Sequence, residues 1–281
     1  MHQLTPVLVT GDDARKFLQG QLSNDVRRLT PEHALLASCT TGQGRVISIL
    51  TLIERPEGIF AIIPTDALEP TLARMRRMLL RSKLVFEEKP PGWELAAVAR
   101  TAALGLFDGV PELPGTCVAS TTASLLRWWS ADERYLLLAQ TTELGLANAE
   151  ASAADEAWHR ADIAAGMPAI YPATRESFVP QMLNLDLLHA VSYEKGCYVG
   201  QEVVARARRA QVKRRMFRFS ASCSPPAPGT RVMLEQSEVG EVVDSAAASG
   251  GCELLAVVDI TQNTAALLLP DGTALSRLAL P

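Results

Sequence analysis

Tyr193-Glu194-Lys195-Gly196-Cys197-Tyr198-Val199-Gly200-Gln201-Glu202-Val203-Val204-Ala205-Arg206 is the least ordinary stretch of the 281-residue chain. Two glycines flank a cysteine and an aromatic. Gly196 and Gly200 permit a positive φ or a close backbone approach, which lets main-chain N–H groups face a ligand or lets two elements cross tightly. Lys195 and Arg206 add fixed cations. Gln201 and Glu202 supply donors and acceptors able to read the edge of a planar heterocycle, such as the amino-amide edge of a pterin. Cys197 reads either as a reactive thiol (nucleophile, redox sensor or transient cluster ligand), its thiolate favoured by Lys195 and backbone donors, or as a small packing residue. The four polar residues are either a ligand-facing network or a turn that clamps neighbouring subdomains. In both readings Glu202 is expected to be buried and paired, with Arg206 for example, because an unpaired buried carboxylate is costly.

Working outward, the N-terminal third reads as mixed α/β. Val7 and Val9 alternate, and Asp12 or Asp13 is placed to cap a helix over Ala14 to Leu22. Ala34 to Thr40, the turn Thr41–Gly44 and Arg45 to Glu54 form a hairpin pattern, followed by a strand over Ile59 to Ile63. Leu68, Leu72, Met75, Leu79 and Leu80 predict a helix over Ala67 to Ser82, and Val85 to Glu87 resumes extended structure. Pro90-Pro91-Gly92 marks a subdomain change. Strands are expected at Leu95 to Val98, Leu125 to Trp129 and Tyr135 to Ala139, with one ring of the Trp128-Trp129 pair on each face. An alanine-rich helix follows over Glu143 to Ile163. Beyond Ser220, prolines and glycines punctuate short strands at Arg231 to Leu234, Gly240 to Val243, Leu254 to Val258 and Ala265 to Leu269, a spacing that suits a small β-barrel.

Bulk properties narrow the function classes. A composition 48% apolar and 21% charged fills a core and still solvates a surface. The net charge of −4 offers no global field for nucleic acid. Two local basic groups exist, Arg74, Arg76, Arg77 and Arg81, and the run from Arg206 to Arg218, but few stacking aromatics interleave them. They read as a solvated face first, a site for an anionic ligand tail second, and an RNA surface last. No apolar run approaches a membrane span, and the first residues carry no targeting pattern, so a soluble cytoplasmic protein is expected. Five scattered cysteines without a C-x-x-C pair suit a reducing compartment, and the four histidines show no metal-ligand spacing, so no metal site is assigned.

The segment Lys195 to Arg206 is similar, without a substitution, to the K-G-C-Y-x-G-Q-E-x-x-A-R signature of YgfZ-type folate-binding proteins. The resemblance extends to Phe17-Leu18-Gln19-Gly20-Gln21, Asn24-Asp25-Val26, Gly166-Met167-Pro168, Pro180-Gln181, Asn184-Leu185 and Lys213-Arg214. It implies an α+β, aminomethyltransferase-like architecture: two mixed α/β subdomains and a C-terminal barrel around a central folate-sized opening, here over residues 1–90, 91–219 and 220–281. It implies tetrahydrofolate or a derivative as cofactor, contacted by Lys195, Gly196, Tyr198, Gly200, Gln201, Glu202 and Arg206, with Asp25 and Arg45 lining the opening and Cys197 as the one possible reactive thiol. It further implies a role in maturing or repairing iron-sulfur enzymes, including tRNA-modifying ones. Two departures from the aminomethyltransferases stand out. Ser48 and Ile49 occupy positions where those enzymes carry acids, and a hydroxyl without an activating partner is no general base. Asp162-Ile163-Ala164-Ala165-Gly166 replaces a stretch holding an arginine and a pterin-binding acid, so a pterin must be anchored differently. The alternatives are a folate-dependent one-carbon transferase using Glu202 or Asp25 as base, and a redox or cluster-transfer protein centred on Cys197.

Overall fold

A computed structural model describes residues 4–130, 132–141, 151–209, 212–263 and 266–280, with the backbone alone for 151–154. Strands β1 (Leu4–Thr10), β2 (Leu35–Thr40), β3 (Val46–Arg55), β4 (Gly58–Pro64) and β5 (Val85–Glu88) form an antiparallel sheet in the order β2-β3-β4-β1-β5. Helices α1 (Ala14–Gln21) and α2 (Thr65–Arg76) accompany it. Phe17, Leu18, Leu72 and Met75 bury their side chains with Leu50 and Leu52 in one core. Asp13 stands at the N-terminus of α1, but its carboxylate accepts from the Lys83 amide instead of capping the helix. The helix expected to run to Ser82 stops at Arg76; Leu80 adopts φ +46°, a left-handed geometry that no α-helix continues through.

The second sheet is built from β6 (Trp93–Val98), β7 (Cys117–Ala119), β8 (Ala123–Arg127) and β9 (Tyr135–Gln140), ordered β6-β9-β8-β7 and antiparallel. Helix α3 (Arg100–Leu106) connects β6 to β7, and helix α4 (Ala151–Ala165) comes after β9. The part of the expected alanine-rich helix over 142–150 lies outside the described residues. Trp128 is buried against Trp158 of α4 at 5.4 Å between rings, whereas the Trp129 indole donates to Thr51 of β3 (3.2 Å), so the pair does face two ways.

From Met167 to Tyr198 the chain has little regular structure; α5 (Gln201–Arg209) follows. The third sheet, β10 (Arg214–Ala221), β11 (Arg231–Leu234), β12 (Ser237–Ala248), β13 (Gly251–Asp259) and β14 (Ser276–Leu278), runs β11-β12-β13-β10-β14, all antiparallel. β10 starts at Arg214, ahead of residue 220. The strand expected over Ala265 to Leu269 reduces, in its described part, to bridges from Leu268 to Met233 and Ala274. One core joins the first and third sheets: Leu36, Val46 and Ile49 pack with Ile163, Leu183, Leu185, Val204, Met216, Val243 and Leu255.

Candidate functional site

The motif loop is stitched to the first sheet. Lys195 is buried, and its ammonium donates to the carbonyls of Gln19 (2.6 Å), Leu22 (2.7 Å) and Asn24 (2.7 Å). It also lies 4.9 Å from the centre of the Tyr198 ring, a cation–π contact. Burial pushes the Lys195 ammonium down to about 8, against the pull of the Asp25 carboxylate. The ammonium expected beside Cys197 is therefore committed to backbone acceptors, and Cys197 itself is exposed. Gln201 donates to the Lys195 carbonyl at 3.5 Å. Gly200 has φ +84° and packs against Thr40, Thr41 and Gly44 of the β2–β3 turn, where the Thr40 hydroxyl also donates to the Val199 carbonyl (2.8 Å).

Two expectations for the motif need correcting. Gly196 has neither a positive φ nor a neighbour within 4 Å of a would-be Cβ, so nothing local requires glycine there. Glu202, expected to be buried and paired, is exposed in the first turn of α5, where a carboxylate is favoured by the unpaired amides of a helix start. Arg206 is likewise exposed. Asp25 is buried; its carboxylate accepts from Gln19 and from the Arg27 side chain and amide, and chiefly the Arg27 hydrogen bond holds it down at about 2. Arg45 is exposed and donates to the Ser177 carbonyl. Asp25, Lys195, Tyr198 and Gln201 thus form one cluster, while Cys197, Glu202, Arg206 and Arg45 face solvent.

A separate cavity lies where the three sheets meet. Its walls come from Leu4, Leu36, Ile49 to Thr51, Ile62 and Pro64 of the first sheet, Trp128 beside β8, Trp158 and Asp162 of α4, Met167 to Ile170, and Asp244 of β12. The site residues read from the motif are not among its walls. Ile49 faces the cavity, whereas Ser48, on the opposite face of β3, is buried and accepts from Thr71 at 2.7 Å. Neither supplies an acid. The carboxylates come from elsewhere. Asp162 accepts from the Trp128 indole (2.8 Å) and Arg134 (2.8 Å). Asp244, 1% exposed, accepts from the Tyr171 hydroxyl (2.6 Å) and pairs with His159 (3.0 Å). The Asp244 hydrogen bond pushes the His159 imidazole upward and so favours its protonated form; burial, then Asp244, pushes the Tyr171 phenol far up, so it remains a donor.

Sequence reasoning had noted Asp162 only as a departure and had not singled out Asp244, although an acid inside the run Val242-Val243-Asp244 was a signal: a buried strand carries a carboxylate only where partners wait for it. Both carboxylates are acceptors set between apolar and aromatic walls, the chemistry that meets the N–H groups of a planar amino-amide edge. The free volume is small, about 60 Å³, room for a few waters. A bicyclic ring would enter only with rotation of lining side chains.

Comparisons with known proteins bear on the whole chain. No family model matches it. The tRNA-modifying protein YgfZ of Yersinia pestis (strain Pestoides F) is 31% identical over 233 residues, 79% of this chain and 71% of that protein. The protein of the same name from Yersinia enterocolitica (serotype O:8 / biotype 1B) is 32% identical over 238 residues, 82% of this chain and 72% of that one. Among solved structures, the glycine cleavage system aminomethyltransferase T from Bartonella henselae superposes with a TM-score of 0.78 over 99% of this chain and 83% of its own, at 14% identity. The architecture is thus that of the aminomethyltransferases, and the shared identity with curated relatives over most of both lengths places the chain in the YgfZ family.

Proposed function

We propose that the chain is a cytoplasmic folate-binding accessory protein that supports the maturation or repair of iron-sulfur enzymes, tRNA-modifying ones among them, with no robust turnover of its own. The observation that carries this reading is the central cavity: within an aminomethyltransferase-like fold it holds two carboxylates, the half-buried Asp162 and the buried Asp244, between apolar and aromatic walls, while β3 turns Ile49 toward it and Ser48 away. Asp162 and Asp244 would hold the amino-amide edge of a tetrahydrofolate pterin, and the cofactor would supply a one-carbon carrier. In the same reading, residues 1–90, 91–213 and 214–281 are the three units, the second boundary moved from 220 to the start of β10. The buried part of the motif, Lys195, Tyr198, Gly200 and Gln201, keeps the walls in place beside Asp25. Gly196, Cys197, Glu202, Arg206 and Arg45 form the face that meets a client enzyme.

The transferase alternative finds weaker support. A base must be mostly ionised yet basic enough to take a proton, and Asp25 at about 2 is a feeble one, while Glu202 stands exposed on α5. The test is calorimetric titration with tetrahydrofolate. Wild type and Cys197→Ala should bind alike. Asp162→Asn, which still offers a carbonyl to Trp128 and Arg134, should bind about tenfold or more weakly, the loss of one charge-assisted hydrogen bond. Failure of the wild-type protein to bind any reduced folate sinks the proposal.

A further inference from the structure

Away from the cavity and the motif, two thiols meet on the third sheet. Ala221, the last residue of β10, pairs with Cys252 of β13, and the chain leaving β10 brings Cys223 back over it. The two sulfurs lie 3.9 Å apart and both thiols are free. Cys252 is buried in the core of that sheet, whereas Cys223 is half-exposed at its margin. A groove lined by Ser222, Ser249, Gly250, Thr273 and Ser276 reaches Cys252 from solvent.

A disulfide requires sulfurs at about 2.05 Å, so the pair must close by roughly half its separation. The segment that has to give carries Pro225, Pro226 and Pro228 and belongs to no strand or helix until β11, so little ladder hydrogen bonding opposes a shift of Cys223. We propose that Cys223 and Cys252 form an oxidisable dithiol whose substrate is a hydroperoxide and whose product is a disulfide tying the segment that leaves β10 to β13. Cys223, the accessible sulfur, attacks the peroxide: an S–O bond forms, the O–O bond breaks, and the departing alkoxide or hydroxide takes the thiol proton. Cys252 then attacks the Cys223 sulfur, the S–S bond forms, and the S–O bond breaks with loss of hydroxide, which leaves as water with the Cys252 proton. Two thiols lose two electrons and the peroxide gains them. Burial first, then the neighbouring Cys223 sulfur, pushes the Cys252 thiol upward, which agrees with the more accessible Cys223 as the sulfur that reacts first.

The test is treatment of the folded full chain with hydrogen peroxide, removal of the oxidant, unfolding in the presence of an alkylating agent, and non-reducing peptide mapping. One cross-linked peptide pair containing Cys223 and Cys252 should replace their two separate alkylated peptides, revert to them when dithiothreitol is added before alkylation, persist in Cys197→Ala and vanish in Cys223→Ser. The oxidised wild type should melt at a higher temperature than the reduced protein, an increment absent from Cys223→Ser. Recovery of Cys223 as sulfinic acid with Cys252 still alkylatable overturns the proposal, as does a cross-link from Cys223 to Cys197 or to a second chain.

Discussion

Gly196 and Gly200 stand in one motif yet respond oppositely to a methyl group. A Cβ on Gly200 would lie 2.6 Å from the Thr41 carbonyl oxygen and 2.9 Å from the Gly44 Cα, on a backbone at φ +84°. Gly200→Ala should therefore cost about 2–4 kcal/mol, combining left-handed strain with overpacking against main chain, and urea unfolding will read it as a lower midpoint. Gly196→Ala should change stability by less than about 0.5 kcal/mol, as a surface substitution does. Lys195 supplies the companion case. Lys195→Met strips a donor from three carbonyls, those of Leu22 and Asn24 buried, and should destabilise by about 2–3 kcal/mol, whereas Cys197→Ala on the exposed side should be near neutral. Native-state thiol titration should label Cys197 at once and leave Cys39 and Cys117, which burial pushes up to about 12, unreacted. The sequence marked the motif but could not divide it, because lysine, glycine and cysteine types carry no record of which side of the loop meets the protein.

At the scale of elements, α4 is held to β12 partly by His159 on Asp244, with Tyr171 on the same carboxylate and Asp162 one turn along the helix. The folded pKa of His159 is raised above its usual 6.5, chiefly by the Asp244 hydrogen bond. The contribution is therefore complete below pH 6.5 and is lost as pH rises through the higher folded value. Melting temperature should fall on going from about pH 6 to about pH 8, and Asp244→Asn should flatten that slope; an equal slope in the variant would place the titrating group elsewhere. The elements themselves were unevenly legible. The β2–β3 hairpin and β4 carried β-branched runs that the pattern exposes. α5 did not, since Val204 is its one fully buried side chain among arginines. β10 was hidden by Arg214, Arg215 and Arg218; Arg215 pairs with Asp186 and Arg218 with Glu253, while Met216 enters the central core and Phe219 and Ala221 the core of the third sheet.

For the whole molecule, the signature motif was enough to read the fold class, because it belongs to one family, but the cavity acids were not readable as a pair. Asp162 and Asp244 belong to different units and meet only because α4 packs on β12, a contact that no local pattern encodes. The same joint decides how the chain should unfold. The core holding Leu183 and Leu185 takes side chains from β3 of the first sheet, from the irregular segment, and from β10, β12 and β13 of the third. Ile53, Phe60 and Ile62 of the first sheet in turn share a core with Trp93, Leu126 and Leu136 of the second, and units joined in this way lose their packing together. All four tryptophans, Trp93, Trp128, Trp129 and Trp158, belong to the second sheet and its flanking turn and helix, whereas far-UV circular dichroism reports every sheet. The two signals should therefore trace a single coincident urea transition. Leu183→Ala, at a position with 0% exposure, should shift both by the same amount, about 2–5 kcal/mol for a leucine cavity that main chain cannot fill. If the circular dichroism midpoint moved while the fluorescence midpoint stayed, the third sheet would be folding on its own, and the cavity would be a seam between independent units instead of the centre of one.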